Sequence, residues 1–299
     1  QNLVSRAVPR GPRISDSFFS FLLTFPTLIF LCAIMLYPIV YSFYMSLHSG
    51  LMGSELSFSG LENYVAVISD PVFRIASINT LLYVGLSVNL QFFLGLALAL
   101  LFNRGFPARR LFMTLTLFPM MMAPVAVGLE WKWLYNSNYG PINYVLQSLG
   151  IVGPAWLADP SLSLFSIMIV DTWLCTPFVM LLLLAGLQSI PPELYEAARV
   201  DGATSWSSFR YVTVPYLRPV ILVVLLVRTM DALQIFDLVF MLTGGGPGYS
   251  SETLILYGYR TAFRFLEMGK ASAFANIVLL IIIVFSIVYV KIIRARIEY

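Results

Sequence analysis

Six apolar stretches, each long enough to cross a lipid bilayer, dominate this sequence of 299 residues. A transmembrane helix needs about 20 mainly apolar residues. The chain is 59% hydrophobic and 11% charged, whereas a soluble domain carries about 25% charged residues. The pattern predicts an all-α polytopic membrane protein with six transmembrane helices. The predicted spans are approximately 18–47, 78–103, 111–134, 162–188, 212–242 and 271–293.

The placement of lysine and arginine predicts which side of the membrane each loop faces, because short cytoplasmic loops carry the excess of positive charge. With the N-terminus inside, the outer segments hold five such residues: Arg74, Lys132, Arg260, Arg264 and Lys270. The inner segments hold twelve: Arg6, Arg10, Arg13, Arg104, Arg109, Arg110, Arg199, Arg210, Arg218, Lys291, Arg294 and Arg296. We therefore expect both termini in the cytoplasm. The predicted organisation is a cytoplasmic segment at 1–17, a membrane domain at 18–293 and a cytoplasmic tail at 294–299.

A polar loop at 191–215 separates the fourth and fifth apolar stretches. Pro192 pre-sets the backbone for a helix start, and Glu193 suits the positive N-terminal end of a helix. Gly202 can end the helix in the left-handed conformation. The loop is therefore predicted to contain a short, capped and exposed helix.

One face of this predicted helix carries apolar and mostly small side chains. Leu194, Ala197 and Ala198 are spaced at i, i+3 and i+4 and so share a face, with charged residues beside it. Small side chains allow another protein to approach the backbone closely. This face is where the chain would meet an aqueous partner.

The loop resembles the signature of ABC importer permeases, written in that family as EAA-x3-G-x9-I-x-L-P. Valine stands here in place of the isoleucine and leucine of that pattern, which changes the shape of the side chain but keeps it apolar. The segment at 58–64, the Leu-Thr-Gly-Gly-Gly-Pro run at 242–247 and the layout of six spans resemble the carbohydrate-uptake branch, which includes the maltose permease subunits. The residues that match the loop signature are Glu196, Ala197, Ala198, Gly202, Val212, Val214 and Pro215.

The resemblance implies a type I ABC importer permease in the bacterial inner membrane, forming half of the pathway for a sugar or related polyhydroxyl solute. It implies three kinds of protein partner: cytosolic ABC ATPase subunits, a second permease subunit and an extracytoplasmic solute-binding protein. The predicted helix would then be a coupling helix that docks into a cleft of the ATPase. The implied coupling residues are Leu194, Glu196, Ala197, Ala198, Asp201 and Gly202.

Several kinds of chemistry are missing from the sequence. There is no G-x4-G-K-[S/T] string, so the chain cannot bind ATP through a P-loop. One histidine, His48, excludes His-paired metal sites, and Cys32 and Cys175 both lie in apolar runs. A net charge of +3 is too small to suggest nucleic acid. We expect no enzyme activity, no metal and no cofactor in this chain.

Polar residues inside the predicted spans should face protein or water, because a charge at the bilayer centre costs about 2.5 to 3.5 kcal/mol on insertion scales. Asp171 and Arg228 each lie about 13 Å below the outer boundary at 1.5 Å per residue, so they can face each other. Arg228 and Asp231 are spaced to pair on one helix. These groups either line a substrate pathway or form a structural salt bridge. The candidate pathway residues are Asp171, Trp173, Arg228, Asp231, Gln234 and Asn276; further polar residues in span two are Asn79, Asn89 and Gln91.

Prolines and outer loops give further expectations. Prolines in spans three, four and five predict kinked helices around a cavity: Pro119, Pro124, Pro177 and Pro219. The glycine run at 243–248 predicts a turn at the outer face. The segment at 253–265 is expected to form an amphipathic helix on the outer surface.

Two other classes of function remain open at this point. An intramembrane enzyme would use Asp171 and Asp231 as paired carboxylates, and would need both within hydrogen-bond reach of one substrate atom. An autonomous secondary transporter would show repeated pairs of broken helices, and its flux would follow an ion gradient without an ATPase.

Overall fold

The computed structural model describes residues 16–51, 53 and 55–297. Residues 1–15 and 298–299, which make up most of the predicted N-terminal segment and part of the tail, lie outside the described residues, so the domain boundaries stay predictions. The first seven helices are α1 Asp16–Ser46, α2 Glu62–Ile68, α3 Pro71–Asn103, α4 Arg109–Leu117, α5 Pro124–Leu134, α6 Pro141–Ser148 and α7 Ser163–Gln188. The next six are α8 Pro192–Val200, α9 Ser205–Ser208, α10 Val214–Leu233, α11 Asp237–Leu242, α12 Leu254–Tyr259 and α13 Met268–Ile297.

Shorter elements connect these helices. A 3-10 turn covers Pro119–Met121, and π-helical turns cover Phe209–Thr213 and Arg260–Arg264. The strands β1 His48–Ser49 and β2 Ser57–Phe58 form an antiparallel hairpin, with His48 opposite Phe58. The predicted all-α class is confirmed apart from this two-residue ladder.

Five helical segments of the described chain are long and apolar enough to cross a membrane, as judged by length and composition. One of them joins α9, the π-helical turn and α10. The segments are Leu23–Ser46, Pro71–Asn103, Ser163–Gln188, Ser205–Leu233 and Met268–Tyr289. Six spans and cytoplasmic termini therefore stay predictions.

The predicted third span is not one continuous helix. Residues 111–134 are divided between α4 and α5 because Pro119 and Pro124 begin new helical turns where the preceding carbonyls lack an N–H partner. Phe106, just before α4, packs with the core near α8, whereas Tyr135, just after α5, donates a hydrogen bond to Ser166 O near the start of α7. The broken segment thus runs from one end of the bundle to the other.

Two other predicted spans differ at their ends. The second begins seven residues earlier, at Pro71, because the Asp70 side chain caps it by accepting a hydrogen bond from Val72 N at 2.9 Å. The fifth ends at Leu233, and residues up to 242 form the separate helix α11, which packs against α5.

The prolines in spans four and five lie inside continuous helices, so the kinks expected there stay predictions. Pro177 lies inside α7 and Pro219 inside α10. Membrane helices tolerate an internal proline where neighbouring groups satisfy the freed carbonyls. A groove of about 460 Å³ between α3, α4 and α7 is lined by both Pro119 and Pro177.

Helices α3 and α7 form the most extensive contact and the centre of the bundle. Gly95 permits this approach, since a Cβ there would lie 2.6 Å from Val179 Cγ1 and 3.0 Å from the backbone nitrogen of Met180. In a bilayer, packing between helices depends on such close backbone approach rather than on the hydrophobic effect. α7 is consequently the most buried of the five spans.

At the end of the bundle opposite α8, side chains tie the loops to the long helices. Asn63 donates hydrogen bonds to Ser46 O at 2.9 Å and to His48 O at 3.0 Å, so α2 is fastened to the end of α1. The segment at 253–265 is helical, as predicted, but α12 is buried rather than exposed. Its residues Leu254, Leu256 and Tyr257 pack into the cores beside α3 and α13.

Candidate functional site

The short helix predicted in the polar loop is confirmed as α8; its coupling role stays a prediction. Pro192 occupies its first turn and Glu193 supplies the acidic residue there. Gly202 has φ of +77° and follows the helix, as the left-handed prediction requires. Ala203 N donates to Ala198 O at 2.8 Å, which satisfies one of the last carbonyls of the helix.

The side chains of α8 divide between the bundle and the solvent. Leu194 packs in the core cluster around Leu187 and Ile190, and Tyr195 Oη lies 3.0 Å from Thr213 Oγ1. These two side chains attach α8 to the spans. Leu194 is thus turned further toward its own bundle than its predicted place on the docking face.

The residues that face outward from α8 include most of the predicted coupling set. Glu196, Ala197, Asp201 and Gly202 are exposed, and Ala198 is half-buried. Val200, which the signature does not include, is 88% exposed. An apolar side chain presented so openly at the end of a polar helix adds to the surface available to a partner.

A network of charged and amide groups lies between α3, α7 and α10. Arg228 Nη2 is 3.5 Å from Asp171 Oδ2, and Arg228 Nη1 is 3.2 Å from Asp231 Oδ2. The Arg228 and Asp171 side chains are buried, whereas the Asp231 side chain is 57% exposed. The structure therefore places Asp171 and Arg228 face to face, as the depth argument predicts. Arg228 links the buried carboxylate of Asp171 to the exposed carboxylate of Asp231.

Gln91 is the member of this network that the site prediction omitted. Its Nε2 donates to Asp171 Oδ2 at 2.8 Å, and its Oε1 accepts from Arg228 Nε at 2.9 Å. Cys175 Sγ also donates to Asp171 Oδ1, at 3.3 Å. The signal in the sequence was an amide inside an apolar span; the structure buries it fully, so it needs polar partners.

Three predicted pathway residues lie apart from the network. Trp173 follows Asp171 by two positions, about 200° around the helix; its ring packs edge-on against Trp131 at 5.6 Å and lines the groove between α3, α4 and α7. Gln234 is exposed and donates to Met230 O at 3.3 Å.

Asn276 belongs to a different contact altogether. Its Oδ1 accepts from Ser42 Oγ at 3.3 Å, and its Nδ2 donates to Tyr64 Oη at 3.1 Å. These bonds join α13 to α1 and α2. The structure therefore does not bring Asn276 together with Asp171 and Arg228, and its place in the pathway stays a prediction.

A second charged cluster lies at the end of the bundle opposite α8. Asp70 Oδ2 accepts from Lys270 Nζ at 2.8 Å and from Tyr257 Oη at 2.9 Å. Partial burial opposes ionisation, but these bonds and the Val72 amide outweigh it, so the pKa of Asp70 is lowered.

The buried carboxylate of Glu252 lies next to the glycine-rich turn. Its Oε2 is 3.1 Å from Arg260 Nη1, and Arg260 Nη2 also donates to Gly244 O. Burial raises the pKa of Glu252 to about 7, although the positive charge of Arg260 acts in the opposite direction. The predicted turn is confirmed, with positive φ at Gly244 and Gly245.

Comparison with known proteins decides the family. Residues 91–298 match the family described as binding-protein-dependent transport system inner membrane component. The chain belongs to this family. The permease is therefore an inner-membrane component of a transport system that depends on a binding protein, which confirms the family assignment made from the loop signature.

Curated relatives cover the permease almost end to end. It is 36% identical over 296 residues to the trehalose/maltose transport system permease protein MalF of Thermococcus litoralis, covering 99% of this chain and 98% of that protein. It is 38% identical over 296 residues to the sulfoquinovosyl glycerol transport system permease protein SmoG of Agrobacterium fabrum, with 97% and 96% covered.

A solved structure shares the fold. The permease superposes on a chain of a bacterial ABC transporter involved in the import of the acidic polysaccharide alginate, with a TM-score of 0.83 and 23% identity. The match covers 93% of this chain and 96% of that one. The overall fold thus resembles that of type I ABC importer permeases.

Proposed function

We propose that this permease forms half of the translocation pathway for a sugar or related polyhydroxyl solute and couples it to a cytosolic ABC ATPase through α8. Relatives named for trehalose and maltose, sulfoquinovosyl glycerol and lactose support the solute class. A related alginate transporter is known with a pentasaccharide-bound periplasmic protein. The proposed complex contains a second permease subunit, two ATPase subunits and an extracytoplasmic solute-binding protein.

The observation that supports the coupling role is that α8 is attached to the spans on one side and exposed on the other. Leu194 and Tyr195 fasten the helix to α7 and to the π-helical turn before α10, while Glu196 and Ala197 remain open. A partner that moves α8 would therefore move the spans with it. A closed ATPase dimer shifts the permease only if it binds the outward-facing state more tightly.

The solute path is proposed to run along the exposed side of α10. Asp231 presents an open carboxylate there, and Arg228 holds it in place from the buried side. Gln234 is one helical turn away and also exposed. Carboxylate and amide groups in a mainly apolar site orient hydroxyl-bearing ligands. Trp173 lines a separate groove, so any contact it makes with solute would occur at another point.

The same geometry argues against an intramembrane enzyme that uses Asp171 and Asp231 as paired carboxylates. Asp171 and Asp231 are both paired with Arg228, and the Asp171 oxygens already accept from Gln91 and Cys175. Two carboxylates engaged in this way are not free to share a substrate atom. We propose that ATP hydrolysis belongs to the partner subunits and that this chain carries no cofactor of its own.

The test is solute uptake by vesicles that contain the assembled complex and the binding protein. Asp231→Asn removes the charge but keeps an acceptor for Arg228. A hydrogen bond to a charged group contributes about 1.5 to 3 kcal/mol, so we expect uptake efficiency to fall about tenfold or more with assembly unchanged. Glu130→Gln is the matched control, because Glu130 is also exposed and forms no ion pair with a described residue. Equal uptake by wild type and both variants would remove Asp231 from the path.

A further inference from the structure

A cavity of about 760 Å³ opens between α8 and the ends of three spans. Leu100 and Asn103 come from the last turn of α3, Leu187 from the last turn of α7, and Phe209 from the segment that leads into α10. These positions are the termini of candidate spans. The cavity therefore lies at the depth where apolar membrane interior gives way to lipid headgroups.

Two arginines supply the charge of this cavity. Arg104 follows α3 and Arg199 lies on α8, and both line the cavity without any acidic residue in its lining. Neither guanidinium forms an ion pair with a described carboxylate. Guanidinium groups bind phosphate through paired N–H donors. The polar part of the cavity is thus suited to a phosphate group.

The remaining lining combines apolar and aromatic side chains, among them Leu100, Leu187 and Trp206, with the uncharged polar residues Asn103, Ser205, Ser208 and Thr213. The Trp206 ring is stacked on Phe209 at 5.6 Å and is 68% exposed. Tryptophan is enriched at membrane interfaces, where its ring meets both headgroups and acyl chains. A ligand that fits both parts of the cavity has a phosphate at one end and a hydrocarbon at the other.

We propose that this cavity binds an anionic phospholipid, with the headgroup phosphate held between Arg104 and Arg199 and the glycerol and acyl part lying against Leu187 and Trp206. Basic pockets between membrane helices bind anionic headgroups in this manner. Because Arg199 is on α8 and Arg104 follows α3, the lipid bridges the coupling helix to the bundle. The site goes beyond the proposed transport function and does not depend on the identity of the solute.

The experiment measures the phospholipid retained by the full complex after purification from vesicles of phosphatidylcholine mixed with phosphatidylglycerol. Native mass spectrometry counts the bound lipids. An arginine held against the headgroup phosphate in the cavity contributes about fivefold to binding of an anionic lipid, so Arg104→Gln with Arg199→Gln should weaken retention of phosphatidylglycerol about thirtyfold. The Arg104→Gln single variant leaves α8 untouched and should lose about fivefold.

The control is Arg110→Gln with Arg210→Gln, which removes the same charge from exposed positions outside the cavity. This variant should keep phosphatidylglycerol as the wild type does. Equal retention by all variants would overturn the proposal. If the complex retained inorganic phosphate but showed no preference for phosphatidylglycerol, the phosphate ligand would not be a lipid headgroup and the proposal would be overturned. Absence of retained phosphatidylglycerol from the wild-type complex, in which the ATPase subunits are docked, would overturn the proposal as well.

Discussion

Replacing Arg228 with methionine should destabilise the permease strongly, because it leaves Asp171 as a buried charge without its counter-ion. Asp171 Oδ2 is 3.5 Å from Arg228 Nη2, and both side chains are almost fully buried. Without Arg228, the carboxylate would keep neutral partners such as the Gln91 amide and the Cys175 thiol, and no counter-ion among the described residues. Gln91 Oε1 would also lose the donor Arg228 Nε.

The magnitude follows from the cost of breaking a buried pair. Removing one partner of such a pair costs about 3 to 5 kcal/mol. Adding Asp231→Leu should recover little, because Asp171 remains uncompensated, although the sequence alone predicts that this pair of changes would be tolerated if the salt bridge were structural. Adding Asp171→Asn removes both buried charges and should leave a deficit of only about 1 to 2 kcal/mol, mainly from the Gln91 acceptor.

The assay is unfolding in mixed detergent micelles with a rising fraction of dodecyl sulfate, followed by the fluorescence of the five tryptophans. The four proteins are wild type, Arg228→Met, Arg228→Met/Asp231→Leu and Asp171→Asn/Arg228→Met. The free energy of unfolding should rank Asp171→Asn/Arg228→Met clearly above the other two variants. If Arg228→Met matched wild type, or if adding Asp171→Asn gave no recovery, the buried pair would not stabilise the bundle.

Three further predictions test the coupling loop, the orientation and the outer cluster. Gly202→Val places a side chain at φ of +77°, which costs about 1 to 2 kcal/mol. This variant should abolish uptake while the protein still reaches the membrane. The control Gly105→Val, at an open position without positive φ, should transport normally. A cysteine at Ser148 should react with membrane-impermeant thiol reagents in intact cells and one at Ser205 should not, whereas the opposite labelling would reverse the topology. Burial raises the pKa of Glu252 to about 7, so the folded protein binds the Glu252 proton more tightly than the unfolded chain does. The free energy of unfolding should therefore fall as pH rises from about 4.5 to 7. Glu252→Gln should remove this fall, and a pH profile of the variant equal to that of wild type would contradict the prediction.

The sequence by itself determined the membrane class and the position of the short helix α8. The hydropathy pattern is local, so a run of about 20 apolar residues predicts a span without reference to the rest of the chain. The caps of α8 are local in the same sense. Pro192 and Gly202 act on their own backbone dihedral angles, and the structure has both where they were predicted.

The break in the third predicted span needed the structure, because proline is ambiguous in a membrane helix. Pro119 and Pro124 divide α4 from α5, whereas Pro177 and Pro219 lie inside continuous helices. The outcome depends on whether neighbouring groups satisfy the freed carbonyls. Composition and spacing carry no information on those neighbours.

The membership of the buried network was decided by tertiary structure alone. Depth along the spans predicted that Asp171 and Arg228 face each other, but depth does not say which side of a helix a residue occupies. Gln91 joins them across 80 positions of sequence, while Asn276 turns toward Tyr64. A hydrogen bond depends on distances of about 3 Å, and the rotation of each helix about its own axis, set by packing against its neighbours, determines which polar groups come within that distance.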